Sequence, residues 1–197
     1  MPFAPPRVHV GFDVTSWDTP RLSIDALRPA DAAAFFAYRA APAVMRYQGW
    51  YPATLEAAST FIQEQSGRTL AQPGWTQRAI RLRESGELVG DLGVCMPDSP
   101  EDSATFGISL NPTCQGTGLA TEAMRRLLGW LFEERDMRRV VASVDPRNTG
   151  SMKLLARLGM RQEAHFREAY LLRGEWVDDV VFAMLQREWA AVRDESR

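Results

Sequence analysis

The first part of the chain alternates between strand-like and helix-like patterns of apolar positions. Leu22 and Ile24 lie two residues apart, which is the spacing of one face of a β-strand. The Ala-rich segment 30–40, which carries three aromatic residues, favours a helix. Thr54 precedes a second helical pattern at 55–65, where its hydroxyl can cap free amides of the first turn. The pattern therefore predicts a strand followed by two helices.

The next segments have the composition of strands. Segments 76–83 and 87–94 flank the tripeptide ESG, in which Gly86 can adopt a positive φ angle at little cost. This arrangement predicts an antiparallel hairpin. Segment 105–110 is a further strand candidate with alternate apolar residues, and Pro112 makes its continuation as a strand unfavourable.

The second half begins with the clearest helical pattern in the chain. From Leu119 to Leu131, apolar residues recur at helical spacing, with charged residues on the other faces. The β-branched run 138–145 predicts a buried strand, and 151–160 predicts a short helix with Gly159 as its C-cap. Two strand-like runs joined at residues 173–174 predict a closing hairpin, so the sheet must be mixed.

The domain organisation follows from the absence of internal repeats, low-complexity linkers and composition breaks. We predict one α/β domain at residues 19–190. A Pro-rich N-terminal arm occupies residues 1–18, and a short C-terminal tail occupies residues 191–197.

Composition narrows the possible functions. The 23 Lys and Arg residues are slightly outnumbered by 25 Asp and Glu residues, for a net charge of −2, which argues against nucleic acid as a partner. Cys95 and Cys114 lack the paired spacing of a metal or redox site, so we expect no metal and no disulfide framework. Without a secretory signal or a long apolar segment, a cytoplasmic protein with no membrane partner is expected.

A glycine-containing loop joins the predicted strand 105–110 to the clearest helix. Such a loop presents unpaired backbone amides and the positive end of the helix dipole, which together suit a phosphate or pyrophosphate. Gly116 and Gly118 lack a β-carbon, so an anion can approach the amides of residues 115–121, and Thr121 adds a hydroxyl. The sequence therefore predicts an anion-binding loop.

The loop has three other possible interpretations. In the first, the glycines only form a tight turn ahead of a core helix. A nucleotide-hydrolysing P-loop is disfavoured because no GK[ST] follows them. A dinucleotide-binding loop matches GxGxxG except at Thr121, with Asp145 in the place of a ribose-binding acid. That fold conflicts with the antiparallel hairpin predicted before the loop.

The residues of this loop resemble the GNAT superfamily of acetyl-CoA-dependent N-acetyltransferases. Gln115, Gly118 and Ala120 meet its Q/R-x-x-G-x-G/A pattern. The longer strings GTGLATEA and NTGSMKLLARLGM resemble the branch that contains the ribosomal-protein alanine and serine N-acetyltransferases (the RimJ/RimL-like branch). The resemblance extends over residues 19–187.

The resemblance implies a single-domain GNAT fold of the α/β (α+β) class. It implies a mixed central sheet of about seven strands flanked by helices, with two parallel strands that splay apart at the acetyl-CoA site. The pyrophosphate would bind the loop amides and the pantetheine arm would run along the preceding strand. The implied acetyl-CoA-binding residues are Ile108, Ser109, Leu110, Gln115, Gly116, Thr117, Gly118, Leu119, Ala120, Thr121, Asn148 and Ser151.

The resemblance also guides the choice of catalytic residues. Many members of the superfamily carry a tyrosine at the position of Leu155, so the hydroxyl role would pass to Ser151. The usual glutamate is also missing before the fourth-strand glycine. Glu163 is the preferred base, with His165 and a water chain as the alternatives. For Glu163 and His165, a structural or surface role is left equally open.

The aromatic segment 45–52 lies between the first two predicted helices, and the resemblance places it beside the acceptor pocket. Tyr47, Trp50, Tyr51 and His165 are therefore the candidate substrate-binding residues. The alternative is that the aromatics only extend the core.

The leading function is transfer of an acetyl group from acetyl-CoA to a primary amine, either a protein N-terminus or a small molecule. A non-catalytic CoA-binding regulatory module is the alternative, because the usual tyrosine and glutamate are missing. The acceptor partner is a small-molecule or peptide amine, and a homodimer is left open.

Overall fold

The computed structural model describes residues 16–99 and 103–195 and has one eight-stranded sheet with helices on both faces. The spatial order of the strands is β1-β2-β3-β4-β5-β6-β8-β7. The strands are β1 (Trp17–Asp18), β2 (Leu22–Ala26), β3 (Gly74–Leu82), β4 (Leu88–Met96), β5 (Ala104–Leu110), β6 (Arg139–Val144), β7 (Arg161–Leu172) and β8 (Glu175–Leu185). The α-helices are α1 (Ala32–Arg39), α2 (Pro42–Met45), α3 (Leu55–Gln65), α4 (Leu119–Gly129), α5 (Thr149–Arg157) and α6 (Gln186–Glu195).

The predicted helices form where their caps and apolar faces indicate. The Thr54 hydroxyl accepts a hydrogen bond from the amide of Ala57 at 3.2 Å, so the predicted cap of α3 is confirmed. Helix α4 continues through a π-helical turn at Trp130–Glu134. Gly159 has a φ of 82° just beyond α5, as a C-cap glycine requires.

Both predicted hairpins are present. β3 pairs antiparallel with β4 through a turn in which Gly86 has a φ of 73°. β7 pairs antiparallel with β8 through Arg173 and Gly174, both of which have positive φ angles. These hairpins give the sheet the mixed character that the sequence predicts.

Separate apolar clusters cover the two faces of the sheet. On one face, α1 and α3 pack Phe35, Ala58 and Ile62 against the first strands. On the other face, α4 and α5 contribute Leu127 and Leu154 to a larger cluster. The C-terminal ends of β5 and β6 lie between these helices, and a cavity can open there.

Strands β5 and β6 form the only parallel pair in the described part of the sheet. They are paired only at Ala104↔Val140 and Thr105↔Val141, although both strands continue for several residues. Because the pairing ends so early, the two strands separate toward their C-terminal ends. The predicted splay is confirmed, and it positions the candidate site.

Two details of the predicted organisation differ from the structure. The sheet has eight strands rather than about seven, because Trp17 and Asp18 of the predicted arm pair with β2, and Trp17 is buried. Helix α6 runs past the predicted boundary at 190 into the predicted tail. The rest of the arm and the last two residues lie outside the described residues. Within residues 16–99 and 103–195, no helix has the length and apolarity needed to cross a membrane.

Candidate active site

The glycine loop follows β5 and leads directly into α4. Asn111 begins a 3-10 turn at Pro112–Cys114, and its side chain accepts a hydrogen bond from the amide of Thr113 at 3.2 Å. Gly116 and Gly118 have φ angles of 76° and 85°, which favour glycine. Gly118 is the N-cap of α4, so the amides that follow it point out of the first turn without partners inside the helix.

Side chains hold the loop in this conformation. Gln115 donates from Nε2 to the Leu110 carbonyl at 3.1 Å, which ties the loop to the end of β5. The Thr117 hydroxyl donates to the Cys114 carbonyl at 2.7 Å. Arg21 donates from Nη1 to the Thr117 carbonyl at 2.9 Å. The loop amides are therefore fixed in place without a ligand's help, as a preorganised anion site requires.

Glu122 supports the loop from the first turn of α4. It accepts hydrogen bonds from the Thr19 hydroxyl at 2.6 Å and from Arg21 Nε at 2.6 Å. Burial opposes its ionisation, but these bonds outweigh that effect and lower the pKa of Glu122. An i,i+4 pair between Glu122 and Arg126 would also fit the sequence, but Arg126 pairs with Glu134 at 2.9 Å instead.

A cavity of about 460 Å³ opens in front of the loop, and we call it the donor cavity. Every predicted acetyl-CoA-binding residue lines it except Thr117, whose side chain turns back to Cys114. The predicted residues that line it are Ile108, Ser109, Leu110, Gln115, Gly116, Gly118, Leu119, Ala120, Thr121, Asn148 and Ser151.

Three cationic side chains of the donor cavity were missed by the sequence analysis. Arg147, Lys153 and Arg157 line the cavity, and Arg157 donates to the Thr121 hydroxyl at 3.4 Å. In the sequence, Lys153 and Arg157 look like the solvated face of an amphipathic helix. Only the approach of α5 to α4 shows that they face the glycine loop. Together with the loop amides, these cations fit the phosphates of acetyl-CoA.

Asn148 and Ser151 lie at the start of α5. The Asn148 side chain caps this helix by accepting a hydrogen bond from the Ser151 amide at 3.1 Å. Both residues line the donor cavity and also a second cavity beside it. Ser151 therefore lies where the two cavities meet.

The second cavity, of about 260 Å³, lies between the separated ends of β5 and β6, and we call it the acceptor cavity. It shares a wall with the donor cavity. The shared residues are Tyr47, Gln48, Ile108, Asn148, Ser151 and Leu154. Its other lining residues include Trp75, Thr105, Ser143, Asp145, Leu155 and Tyr170.

The charges that line the two cavities differ in sign. Asp145 is the only charged residue among the described residues that line the acceptor cavity. Burial opposes its ionisation, but hydrogen bonds from Arg147, one of them at 2.7 Å to Oδ2, outweigh burial and lower the pKa of Asp145. The acceptor cavity thus contains an ionised carboxylate that is paired with Arg147, whereas the donor cavity also contains the cations Lys153 and Arg157.

Of the predicted substrate-binding residues, Tyr47 lines both cavities. Its hydroxyl donates to the Arg147 carbonyl at 3.1 Å. The neighbouring Gln48 also lines both cavities and accepts a hydrogen bond from Arg39 at 3.3 Å. Arg39 is itself buried in an ion pair with Asp91. A buried network thus orients the side chain of Gln48.

The other predicted substrate-binding aromatics lie outside both cavities. Trp50 stacks on Phe61 of α3 with ring centroids 4.4 Å apart and stays 43% exposed. The Arg173 guanidinium lies over the Tyr51 ring, 4.8 Å from its centroid. The contacts of these two aromatics are with other protein side chains, and the two cavities do not support their predicted role in lining the acceptor pocket.

Glu163 also lies away from the reaction site. It lines neither cavity and pairs with Arg139, which donates from Nη1 at 3.1 Å, and with Arg161. Hydrogen bonding from Arg139 lowers the pKa of Glu163 from its ordinary value of 4.5 to about 2. A carboxylate that holds a proton this weakly is a poor base, so neither the position nor the pKa of Glu163 supports its predicted role.

His165 likewise lines neither cavity. Its Nε2 lies 2.7 Å from Oδ2 of Asp178, and Asp178 also accepts a hydrogen bond from the Glu168 amide at 2.9 Å. The side chain of His165 on β7 therefore contacts the neighbouring strand β8. Among residues 16–99 and 103–195, no group of three His, Cys, Asp or Glu side chains is placed to hold a metal ion.

Comparison with known proteins decides the family. The sequence model of the acetyltransferase (GNAT) domain matches residues 21–161. The chain belongs to the GNAT acetyltransferase family. It is 31% identical to N-acetyltransferase p20 of Bacillus licheniformis over 174 residues, which cover 87% of this chain and 97% of p20. The fold agrees with the crystal structure of a GNAT-family acetyltransferase from Bacillus anthracis, with a TM-score of 0.79, 25% identity, and coverage of 87% of this chain and 99% of that one.

A further relative indicates the branch of this acetyltransferase. The [ribosomal protein uS5]-alanine N-acetyltransferase of Escherichia coli is 32% identical over 88 residues, which cover 45% of each chain. With the GNAT domain match, this similarity places the enzyme in the RimJ-like branch. The family uses acetyl-CoA as co-substrate, and the donor cavity fits that molecule through its left-handed glycines, free helix amides and cations.

Proposed function

We propose that this enzyme transfers the acetyl group of acetyl-CoA to a primary amine by direct attack in a ternary complex. The acceptor is a protein N-terminus or a small-molecule amine. The observation that carries the proposal is the meeting of the two cavities at Asn148 and Ser151. An acetyl group held at that junction is within reach of an amine that enters from the other side.

The donor cavity supplies binding and orientation. The amides that follow Gly116 and Gly118 face a diphosphate, and Arg147, Lys153 and Arg157 add positive charge along the same wall. The end of β5 offers an extended backbone at Ile108–Leu110, along which the pantetheine arm can bind. Holding both reactants in one orientation supplies much of the rate of such a bimolecular reaction.

The acceptor cavity favours a cationic molecule. Its only charged lining residue within the described ranges is Asp145, and Trp75 adds an exposed aromatic surface. An ammonium group is attracted by the aromatic face of Trp75, and more weakly by Asp145 because that carboxylate is already paired with Arg147. The amine must then lose its proton to attack, and a water chain can accept that proton because Glu163 is not at the site.

Direct attack is favoured over an acetylated enzyme. Of the described residues that line the cavities, none is a cysteine, and Cys114 beside the loop lines neither cavity. Ser151 lies at the junction but has no carboxylate or imidazole bonded to its hydroxyl to activate it as a nucleophile. We assign its hydroxyl the role of a hydrogen-bond donor to the reacting thioester.

Turnover over a panel of amines separates this function from a CoA-binding regulatory module. The panel contains peptides with free N-termini, the same peptides with blocked N-termini, and small amines such as polyamines and aminoglycosides. We expect CoA thiol release matched by an acetylated amine in the mass spectrum. Tight CoA binding by calorimetry without any acetylated product would support the module instead.

A further inference from the structure

Trp75 exposes a large apolar surface at the acceptor cavity. It is the second residue of β3, lines this cavity and remains 51% exposed. In the part of the chain that the structure describes, no other aromatic ring or guanidinium stacks on its indole. A lone exposed tryptophan is ordinary on a protein surface, but one that borders a cavity beside a reaction site offers a ligand a flat apolar contact. Attraction of an ammonium to this indole is lost when the amine gives up its proton, whereas an apolar contact is kept.

The other walls of the acceptor cavity add aromatic surface and little free charge. The rings of Tyr47 and Tyr170 also line it. Its carboxylate, on Asp145, is already paired with Arg147 at 2.7 Å. A second positive charge on the acceptor would be moved out of water without another carboxylate among the described lining residues to pair with, and such a transfer is unfavourable. The cavity therefore favours an amine with one positive charge and an aromatic remainder.

A glycine in β5 leaves room beside Trp75. Cys95 of β4 pairs with both Trp75 and Thr105, so these side chains share one face of the sheet. Gly107, two residues after Thr105, lies on the same face and lines the acceptor cavity. A Cβ added to Gly107 would have no heavy atom of a non-neighbouring residue within 4 Å, and the residue does not have the positive φ that requires glycine. The missing side chain is therefore not needed for the backbone, and its effect is to leave open space in the cavity.

We propose that the acceptor is a monoamine with an aromatic ring close to its nitrogen, and that this ring lies against Trp75 in the space beside Gly107. This inference rests on the proposed acetyl transfer to an amine and narrows its acceptor. The neutral nitrogen bonds to the acetyl carbon, and the carbon–sulfur bond breaks with its electron pair on sulfur. The proton that the nitrogen loses passes through water to the sulfur, so the products are the N-acetylated amine and CoA thiol.

The first test compares three amines that differ in what the nitrogen carries. Phenethylamine has a ring, ethylamine lacks it, and putrescine has a second ammonium instead. We expect kcat/KM for phenethylamine to exceed that for each of the other two by about tenfold or more, because only its ring can stack on Trp75. Peptides that begin with phenylalanine, alanine or lysine give the same comparison for a peptide N-terminus, so the series with the larger preference for the ring identifies its source.

Variants of the two cavity residues test where the ring binds. Trp75→Ala removes the surface on which the ring stacks, and Gly107→Val fills the space beside it. Each should raise the KM for phenethylamine by about tenfold and leave the KM for ethylamine within about twofold of wild type. Neither residue lines the donor cavity, so the Kd for CoA should not change. Trp176→Ala is the matched control, since it removes an exposed tryptophan outside both cavities and should change none of these constants.

The outcomes separate the two proposals. Equal or better wild-type turnover of ethylamine and putrescine, and of the peptides that begin with alanine and lysine, would overturn the aromatic acceptor and leave acetyl transfer intact. Equal changes of KM for phenethylamine and ethylamine in Trp75→Ala and Gly107→Val would do the same, and the wild-type ranking stays informative if a variant folds poorly. CoA binding by the wild-type protein with no acetylated amine from any acceptor would overturn the proposed function itself.

Discussion

Two requirements restrict the residue at position 118, namely the positive φ of the backbone and the negative charge of the expected ligand. It begins α4 with a φ of 85°, and an added Cβ would lie 3.3 Å from Arg21 Nη2, a guanidinium already bonded to Glu122. Gly118→Asp and Gly118→Asn introduce the same backbone strain, and only Asp adds negative charge beside the loop amides. We expect Gly118→Asp to bind CoA at least tenfold more weakly than Gly118→Asn in calorimetry, and equal affinities would argue against a pyrophosphate at this loop.

A variant of Glu163 tests whether this residue is the base of the reaction. Its pKa of about 2 in the folded protein lies below its ordinary value of 4.5, so its ionised form stabilises the fold above pH 4.5 and that contribution is lost as the pH falls toward 2. Glu163→Gln should lower the melting temperature most near neutral pH, and the gap from wild type should close toward pH 2. Its kcat should stay within about twofold, whereas a large loss of kcat would restore Glu163 as a catalytic candidate.

Asp91 holds the buried network behind the acceptor cavity. It is fully buried and bonds Arg39, Tyr38 and Gln77. Removing its charge by Asp91→Asn leaves the buried guanidinium of Arg39 without a carboxylate, so we expect the free energy of unfolding in urea to fall by about 3–5 kcal/mol. The exposed pair of Arg126 and Glu134 gives the control, because Glu134→Gln should cost about 1 kcal/mol or less. Equal costs in the two variants would contradict this account of the network.

At the scale of the elements, the tip of the β7–β8 hairpin fixes one wall of the acceptor cavity. Arg173 donates to the carbonyls of Arg46 at 3.4 Å and Gln48 at 3.0 Å, and also to that of Met45. These contacts lie on both sides of Tyr47 in the chain, so they set the position of that residue between the two cavities.

Arg173→Ala should therefore raise the KM for the amine by about tenfold or more, because the segment 45–48 loses several charge-assisted hydrogen bonds. Affinity for CoA should stay unchanged, since most of the donor cavity is built from other elements. Arg125→Ala removes an exposed arginine from α4 that lines neither cavity and should change neither constant. If CoA affinity falls by as large a factor as the acceptor KM rises, the hairpin supports the whole fold rather than the acceptor wall.

The elements themselves were predictable where a local pattern dictates them. The cap at Thr54, the turn at Gly86 and the C-cap at Gly159 each depend on neighbours in the chain, and each is present. The sequence pattern does not predict strand β1, because two residues are too few to show an alternation of apolar and polar positions. Trp17 is held in place by its contact with Trp130, which is distant in the chain. Local signals therefore specify most helices and hairpins, whereas the sheet edge depends on tertiary packing.

At the scale of the whole molecule, the donor cavity was predictable and the acceptor cavity was not. The glycine loop and the start of α5 are short contiguous motifs, and their residues line the donor cavity together. The acceptor cavity combines Trp75 of β3, Tyr170 of β7 and Asp145, which directly follows β6, and no spacing in the sequence brings these residues together. The chemistry of Glu163 and His165 favours a role as base, but in the structure both side chains form ion pairs with neighbouring residues. A homodimer stays a prediction.

The most direct test of direct acetyl transfer is a single-turnover experiment with isotopically labelled acetyl-CoA and an excess of enzyme. Without an amine, the account predicts that the label stays on CoA and that the intact mass of the protein is unchanged. After an accepted amine is added, one labelled acetyl group should appear on the amine for each thiol released. A labelled protein that forms before the amine is added, and then passes its label on, would contradict direct attack at the junction of the two cavities.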